Sequence, residues 1–450
     1  ITITANGISI VGTSVLSTII QPSTLSNDLF SLSTPTVEFY NFTISAGALG
    51  STASGINLST SVTGRGAFHS LRVLLFQTGI ILSNSAAAIP IIVLENIVTA
   101  GNATAVSINN LQVVIENNIF LGPISGINPA NTAISITGVN SQIAILSNTF
   151  RLINTGIYSS GGSQVRITGC NFGSTTNSVV ATGASRSSVS GSTFVLNNAS
   201  SINISASGAG TSVSMAGCQF QCTGTLNDNQ GTALKAFDGG VIFANASSIE
   251  NVALGIQCGD TGDTSSTQVI TNGLGLINTT TDIIQVGTSR LSFLGGVFDN
   301  LKSFIEDPTN VHFSAFAPDG HLVIGKSEDV NQSLYHVLTG DAVLPELNYE
   351  SNFYGNKGTV YKNPNPAPTF SGVQSDSNSV SYYVVTGDRT KETSLNLISD
   401  TSNVGNGDNI RGWGISKLGT SASLAFTYTN NDSSGQALRA GNTVMQLNGF

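Results

Sequence analysis

The sequence predicts an all-β chain: a parallel β-helix followed by a small antiparallel β domain. Three observations carry this. A short pattern recurs at Val113-Val-Ile-Glu-Asn-Asn-Ile-Phe120, Ile143-Ala-Ile-Leu-Ser-Asn-Thr-Phe150, Val165-Arg-Ile-Thr-Gly-Cys-Asn-Phe172, Ser187-Ser-Val-Ser-Gly-Ser-Thr-Phe194 and Val213-Ser-Met-Ala-Gly-Cys-Gln-Phe220. Each copy is an alternating apolar run, a small or amide residue, a spacer and a large apolar residue, and a fixed motif at this period is the mark of a solenoid. Only 9% of residues are charged, and no run of strong helix formers is present.

Aligned on the terminal apolar residue, the pattern extends to Val15, Ile44, Ile80, Val98, Phe120, Phe150, Phe172, Phe194, Phe220, Ile249, Leu276 and Phe298. Each interval is read as one coil of two or three short strands, about twelve coils in all. Equivalent positions stack at the strand spacing, which gives a column of roughly 50 Å. Phe120, Phe150, Phe172, Phe194, Phe220 and Phe298 are assigned to an internal stack. Two positions earlier, Asn96, Asn118 and Asn148 are assigned to an amide ladder that satisfies the bends, with Cys170, Ser192 and Cys218 continuing it. The longest insertions are placed between Ile44 and Ile80 and between Phe120 and Phe150.

The V-x-I-x-x-N-x-F repeat over about residues 8–300 resembles the pectate-lyase-like right-handed β-helix family, which includes phage tailspikes and virion fibres. The resemblance implies a right-handed coil. It leaves function open, because many functions are grafted on one fold.

Composition shifts near Ser303. Residues 1–300 hold 11 acids and 7 Lys or Arg, and residues 301–450 hold 14 and 9 in half the length. Seven of nine tyrosines and the single tryptophan also lie after residue 300. The expected organisation is a β-helix over 1–305, a neck and Pro/Asn-rich connector over 306–372, and a β-sandwich, jelly-roll-like head over 373–450. A shaft followed by a compact β head is similar to the tailspike layout.

The net charge of −9 and pI near 4.8 argue against nucleic acid and anionic membrane surfaces as partners. No apolar run is long enough for a membrane-spanning helix. The chain begins inside a strand pattern, so further residues are expected upstream of Ile1. Four cysteines are too few for a disulfide scaffold of this length; Cys170 and Cys218 share a repeat position two coils apart, about 10 Å, beyond disulfide reach. No metal or cofactor motif is present: the four histidines are scattered, and Asp260-Thr-Gly-Asp263 lacks the ligand spacing of a calcium loop.

Candidate catalytic residues are the acids crowded into the last coils: Asp238, Glu250, Asp260, Asp263, Asp282 and Asp299, with Asp228 just before them. A carboxylate pair on the outer wall would support a polysaccharide lyase or glycoside hydrolase. The plainer role for these acids is capping turns and keeping a low-charge rod soluble. Against an enzyme, no Tyr or Trp lies between Tyr158 and Tyr335 to form a sugar platform. The C-terminal region offers more: Tyr382, Tyr383, Trp413 and Tyr428 are assigned to receptor binding, beside the alternative that some are simply core.

The sequence therefore favours a structural, adhesive virion fibre or tailspike. It would be a homotrimer on the virion surface, held at its N-terminal end by other virion or surface-structure proteins, and contacting a host-surface glycan or protein. Low charge with positive mean hydropathy motivates the trimer, because wall surface of that kind suits a neighbouring chain. A polysaccharide-depolymerising tailspike and a bacterial surface adhesin or extracellular filament are the alternatives.

Overall fold

The computed structural model describes residues 1–298, apart from residues 25, 48–51, 62, 86–88, 123–130, 197, 223–229 and 264–265, and beyond 298 the backbone of a series of strands. The chain divides into two compact units, Ile1–Gly320 and His321–Phe450. Among the described residues there is no helix, and so none long and apolar enough to cross a membrane.

The first unit is a parallel β-helix. A single coil shows the plan: Thr104–Asn109, Gln112–Glu116 and Ile119–Leu121 are three strands on three faces. Each pairs in parallel with its counterpart one coil on, at Thr132–Thr137, Gln142–Leu146 and Thr149–Arg151. Thirteen strands stack this way on the first face, from Thr2–Ile3 to Ser303–Ile305. Parallel pairing on the second face runs to Val311–Phe316. Strands this short alternate inside and outside, so β-branched and aromatic residues line the lumen and Gln, Ser, Thr and Arg face outward.

The lumen holds one long side-chain column. Phe120, Phe150, Phe172, Phe194 and Phe220 are in register on the third face and fully buried, with ring centroids 4.5 to 5.0 Å apart and ring planes within 8° of parallel. Parallel in-register strands translate identical side chains by one strand spacing, which imposes the stacking. Ile249 and Leu276 continue the column, and Phe298 is in backbone register with Leu276.

Toward the N-terminus the residues in register are Thr99, Val73, Ile44 and Ile20. This corrects three assignments. Val98 lies one position off and half-exposed, Ile80 is buried on the first face beside Ile56 and Val106, and Val15 sits in a turn before the strand. The long Ile44–Ile80 interval is thus a misalignment and not an insertion. These early coils are filled instead by Phe30, Phe39, Phe42 and Phe68, which meet at tilted or edge-on angles.

The same shift corrects Asn96. It is exposed, with a left-handed φ of 54°, and Ile97 occupies the ladder position. Asn118 and Asn148 are in the ladder and buried. The Asn118 Oδ1 accepts the Ile97 N–H at 2.6 Å, while its Nδ2 donates to the Leu94 carbonyl and to Asn148 Oδ1, both at 3.0 Å. Asn148 Oδ1 in turn accepts the Asn118 N–H at 2.9 Å. Further along, hydroxyls take over: Ser192 Oγ accepts the Cys170 N–H and Ser247 Oγ accepts the Cys218 N–H, both at 3.1 Å. A bend between strands leaves a backbone N–H without a strand partner, and this column supplies the acceptor.

A second column, of Ser and Thr, runs along the corner between the first and second faces, and all but Ser163 of its described hydroxyls have a hydrogen-bond partner. Ser141, Ser163, Ser185, Thr211, Thr267 and Ser289 each precede a second-face strand and are all buried. Ser141 Oγ accepts the Asn110 N–H at 2.9 Å, Thr211 Oγ1 the Ala184 N–H at 2.9 Å and Thr267 Oγ1 the Gly239 N–H at 2.8 Å. Asn110 and Ala184 have positive φ, so the sharp corner and its hydrogen bond are made together.

None of the four cysteines forms a disulfide. Cys170, Cys218 and Cys258 are buried, and burial raises their thiol pKa, that of Cys258 to about 12. Cys222 is half-buried. A thiol-specific reagent at pH 8 should therefore react with Cys222 in the folded protein, and with the other three only after denaturation. Prompt reaction of three or four thiols, counted by absorbance, would contradict this packing.

In the second unit, six strands form an antiparallel sheet in the order Thr369–Ser371, Ser381–Val385, Thr393–Asp400, Ile410–Lys417, Leu424–Asn430 and Asn442–Leu447. Three more, Tyr349–Phe353, Asn356–Val360 and Val373–Gln374, form a separate small sheet.

Candidate functional site

Among the acids of the last coils, Asp260, Asp263 and Asp282 make side-chain hydrogen bonds within the β-helix. Asp260 Oδ2 is 2.7 Å from Lys235 Nζ, and Asp260 Oδ1 accepts the Thr261 N–H at 3.0 Å. The Lys235 ammonium also lies 5.0 Å from the centre of the Phe237 ring. Asp263 Oδ2 accepts the Asp238 N–H at 2.9 Å and the Thr267 hydroxyl at 2.6 Å, tying one corner turn to the next. Asp238 itself is exposed at a left-handed corner. Asp282 is buried and accepts the Thr279 hydroxyl. Glu250 is half-buried on the third face between Gln221 and Ile277. Asp228 and Asp299 lie outside the described residues. The structure thus brings Asp238 and Asp263 together through a backbone bond and pairs Asp260 with a lysine.

Lys235 hydrogen-bonds to the Asp260 carboxylate and holds its pKa below 3.8, against a smaller opposing effect of burial. A depressed folded-state pKa contributes stability above the unfolded value and loses it as pH falls through the folded value. The carboxyl resonance of Asp260 should titrate below 3.8 in the native protein and return to the ordinary range in Lys235→Met. An unchanged midpoint in that variant would remove the lysine as the cause.

The outer wall of the second face carries a grouping that the sequence does not display. Val11, Tyr40, His69, Glu95 and Glu116 occupy one register row on five successive coils. The Tyr40 and His69 rings stack, with centroids 5.0 Å apart and planes 7° from parallel. His69 Nδ1 lies 2.9 Å from Glu95 Oε2. Burial raises the Tyr40 phenol pKa, and the charge of Glu38, two residues away, adds to the effect. Glu95 and Glu116 are opposite one another on adjacent strands, about 4.8 Å apart at the backbone. Tyr40 and Glu116 are 76 positions apart in sequence, so only the register joins them.

In the second unit, Tyr382 pairs with Leu397, Leu397 with Trp413, and Trp413 with Tyr428. Three of the four receptor-binding candidates therefore occupy one cross-strand row, while Tyr383 lies in the adjacent row opposite Asn396. Successive rows belong to opposite faces of a pleated sheet. Among the described residues, no three His, Cys, Asp or Glu side chains group as a metal site.

The sequence matches no protein-family model and no curated protein. Among solved structures, ORF18 of Geobacillus virus E2 aligns at 12% identity and a TM-score of 0.20, over 96% of this chain and 68% of that one. Tailspike protein 3 (orf212) of bacteriophage CBA120 aligns at 12% identity and a TM-score of 0.26, over 78% of this chain and 63% of that one. Both are phage proteins, and this chain spans about two thirds of each. At such identities and TM-scores the likeness settles neither family nor function. The class that the described residues themselves define is a parallel β-helix.

Proposed function

We propose that the chain is an adhesive virion fibre or tailspike protein of the right-handed β-helix kind, a homotrimer on the virion surface. Its N-terminal end joins other virion or surface-structure proteins. Its C-terminal region, a sandwich-like head over about 373–450 following a neck over 306–372, attaches the particle to a host-surface glycan or protein. The observation that carries the adhesive reading is the row Tyr382, Trp413 and Tyr428, in register across the six-stranded sheet. Aromatic residues gathered on one sheet face are the usual anchors of recognition surfaces. The trimer draws its support from the low-charge wall, where Phe243, Leu294 and Val297 are all substantially exposed.

The test is particle or protein adsorption to host cells. Trp413→Ala with Tyr428→Ala should cut adsorption at least tenfold while the melting temperature of the β-helix stays unchanged. Undiminished adsorption overturns the head as the contact, and a stable monomer by light scattering overturns the trimer.

A second reading, a tailspike enzyme that depolymerises a surface polysaccharide, is favoured by one observation. Glu95 and Glu116 are in register beside the Tyr40 and His69 rings. A backbone spacing of about 4.8 Å suits the carboxyl separation of about 5–5.5 Å found in retaining glycosidases. Release of reducing ends from a polysaccharide panel, abolished by Glu95→Gln or Glu116→Gln, would establish it; no release by the wild type would dismiss it.

A further inference from the structure

Charge on the second face changes sign along the axis. Glu95 and Glu116 are register partners on adjacent coils, and two coils beyond Glu116 the face carries Arg166 and then Arg186, both exposed. The switch is complete: residues 117–227 hold three arginines, no lysine and no acid. Among the described residues Glu116, Arg166 and Arg186 make no ion pair, and the ion-pair partner of Glu95 is His69. Like charges opposite one another on neighbouring strands are destabilising, so each end of this face is short of counter-charge.

The two charged pairs are disposed about one point. Ala144 is a small outward residue beside Val114 on the floor of a shallow trough. Glu95 lies two coils before Ala144 and two residues further along the strand, and Arg186 lies two coils after it and two residues back. Each is about 12 Å from Ala144, in opposite directions. A half-turn about an axis through Ala144, normal to the wall, therefore carries Glu95 onto Arg186. The same half-turn sets Arg166 opposite Val114, two residues from Glu116. A patch that complements itself under a half-turn is what an isologous contact requires. Two packed sheets lie about 10 Å apart, a gap that an arginine and a glutamate span together. An unrelated acidic partner would satisfy the arginines but be repelled by the glutamates.

From this geometry we infer that the second face binds a second copy of this chain with its shaft reversed, through Arg186–Glu95 and Arg166–Glu116 pairs each made twice around Ala144. Five coils of five-residue strands give about 400 Å² of wall per copy, against roughly 800 Å² per partner in a standard interface. The contact is therefore weak and salt-sensitive. A threefold axis leaves all shafts running the same way and would set arginine level with arginine, so this contact is separate from the trimer proposed above. It covers Glu95 and Glu116, and so competes with the enzymatic reading.

The test is sedimentation equilibrium of the full chain over a range of concentrations, at low salt and at about 1 M salt, where screening acts within about 3 Å. The mass of the wild-type particle should double with concentration at low salt, and the association should be at least tenfold weaker at high salt. Arg186→Glu and Glu95→Arg should each weaken the doubling at least tenfold. The variant carrying both should regain it to within threefold, because the exchanged charges again face each other across the axis. Arg166→Glu with Glu116→Arg provides a second exchange if Glu95→Arg disturbs His69 and the fold. The inference is overturned if no doubling occurs, if doubling is indifferent to salt, if the single reversals associate like the wild type, or if neither exchange restores what its single changes remove.

Discussion

Phe172→Ala should lower the stability of the β-helix by about 3–5 kcal/mol. The ring is fully buried at the middle of the five-membered stack, with its neighbours centred 4.5 Å and 4.8 Å away. Its edge abuts the backbone of Gly156, where even a Cβ would come within 3.0 Å of the ring. The strands on either side are held by parallel pairing on all three faces, so they cannot collapse into the void, and the cavity cost adds to the lost transfer energy. Phe172→Leu keeps most of the volume and should cost less than half as much. Denaturant titration of both variants measures the difference. A loss below 1 kcal/mol for the alanine variant would mean that the stack fills space without holding the coils together.

Asn118→Leu should cost about 2–4 kcal/mol, although the replacement is apolar, similar in size and placed in the lumen. The change strands the Ile97 N–H and the Leu94 carbonyl, both of which Asn118 now satisfies, and removes a partner of Asn148. Buried backbone groups without partners bear their full desolvation penalty. Asn118→Ser should be milder, because Ser192 and Ser247 already accept a backbone N–H at the same column position. Hydrogen exchange gives a specific readout: the Ile97 amide should lose protection in the leucine variant and keep part of it in the serine variant. Equal protection in all three proteins would show that the ladder is incidental to the bend.

Much of the solenoid was legible in the sequence where its residues repeat literally. Phe120 to Phe220 share one side chain, so their register could be read without coordinates. In the early coils the equivalent residues are Ile20, Ile44, Val73 and Thr99, which differ in size and polarity. Alignment on hydrophobicity therefore preferred Val98 to Thr99. In a strand, a slip of one residue exchanges the two faces, and it carried Asn96 into the place of Ile97. The corner column of Ser141, Ser163 and Ser185 was invisible for a different reason: serine is abundant throughout the chain, so a buried column of it has no contrast.

The outward groupings were hidden because they depend on how the turns set register. Tyr40, His69, Glu95 and Glu116 carry no shared local motif, and the acids that did attract attention, Asp260 and Asp263, are spent on Lys235, Thr267 and the Asp238 backbone. Likewise the strands holding Tyr382, Trp413 and Tyr428 could be recognised singly, while their alignment in one row follows from turn lengths.

Each strand on a face bonds only to its counterparts one coil before and one coil after, and this makes the β-helix a ruler with removable divisions. Phe150 and Phe172 are register partners 22 positions apart. Excising residues 151–172 would set Phe194 directly on Phe150, a junction the stack already contains, and Ser192 after Asn148. The molecule would be shorter by one division, about 4.8 Å. Length can thus be edited in whole coils, independently of whatever the outer walls are used to grip.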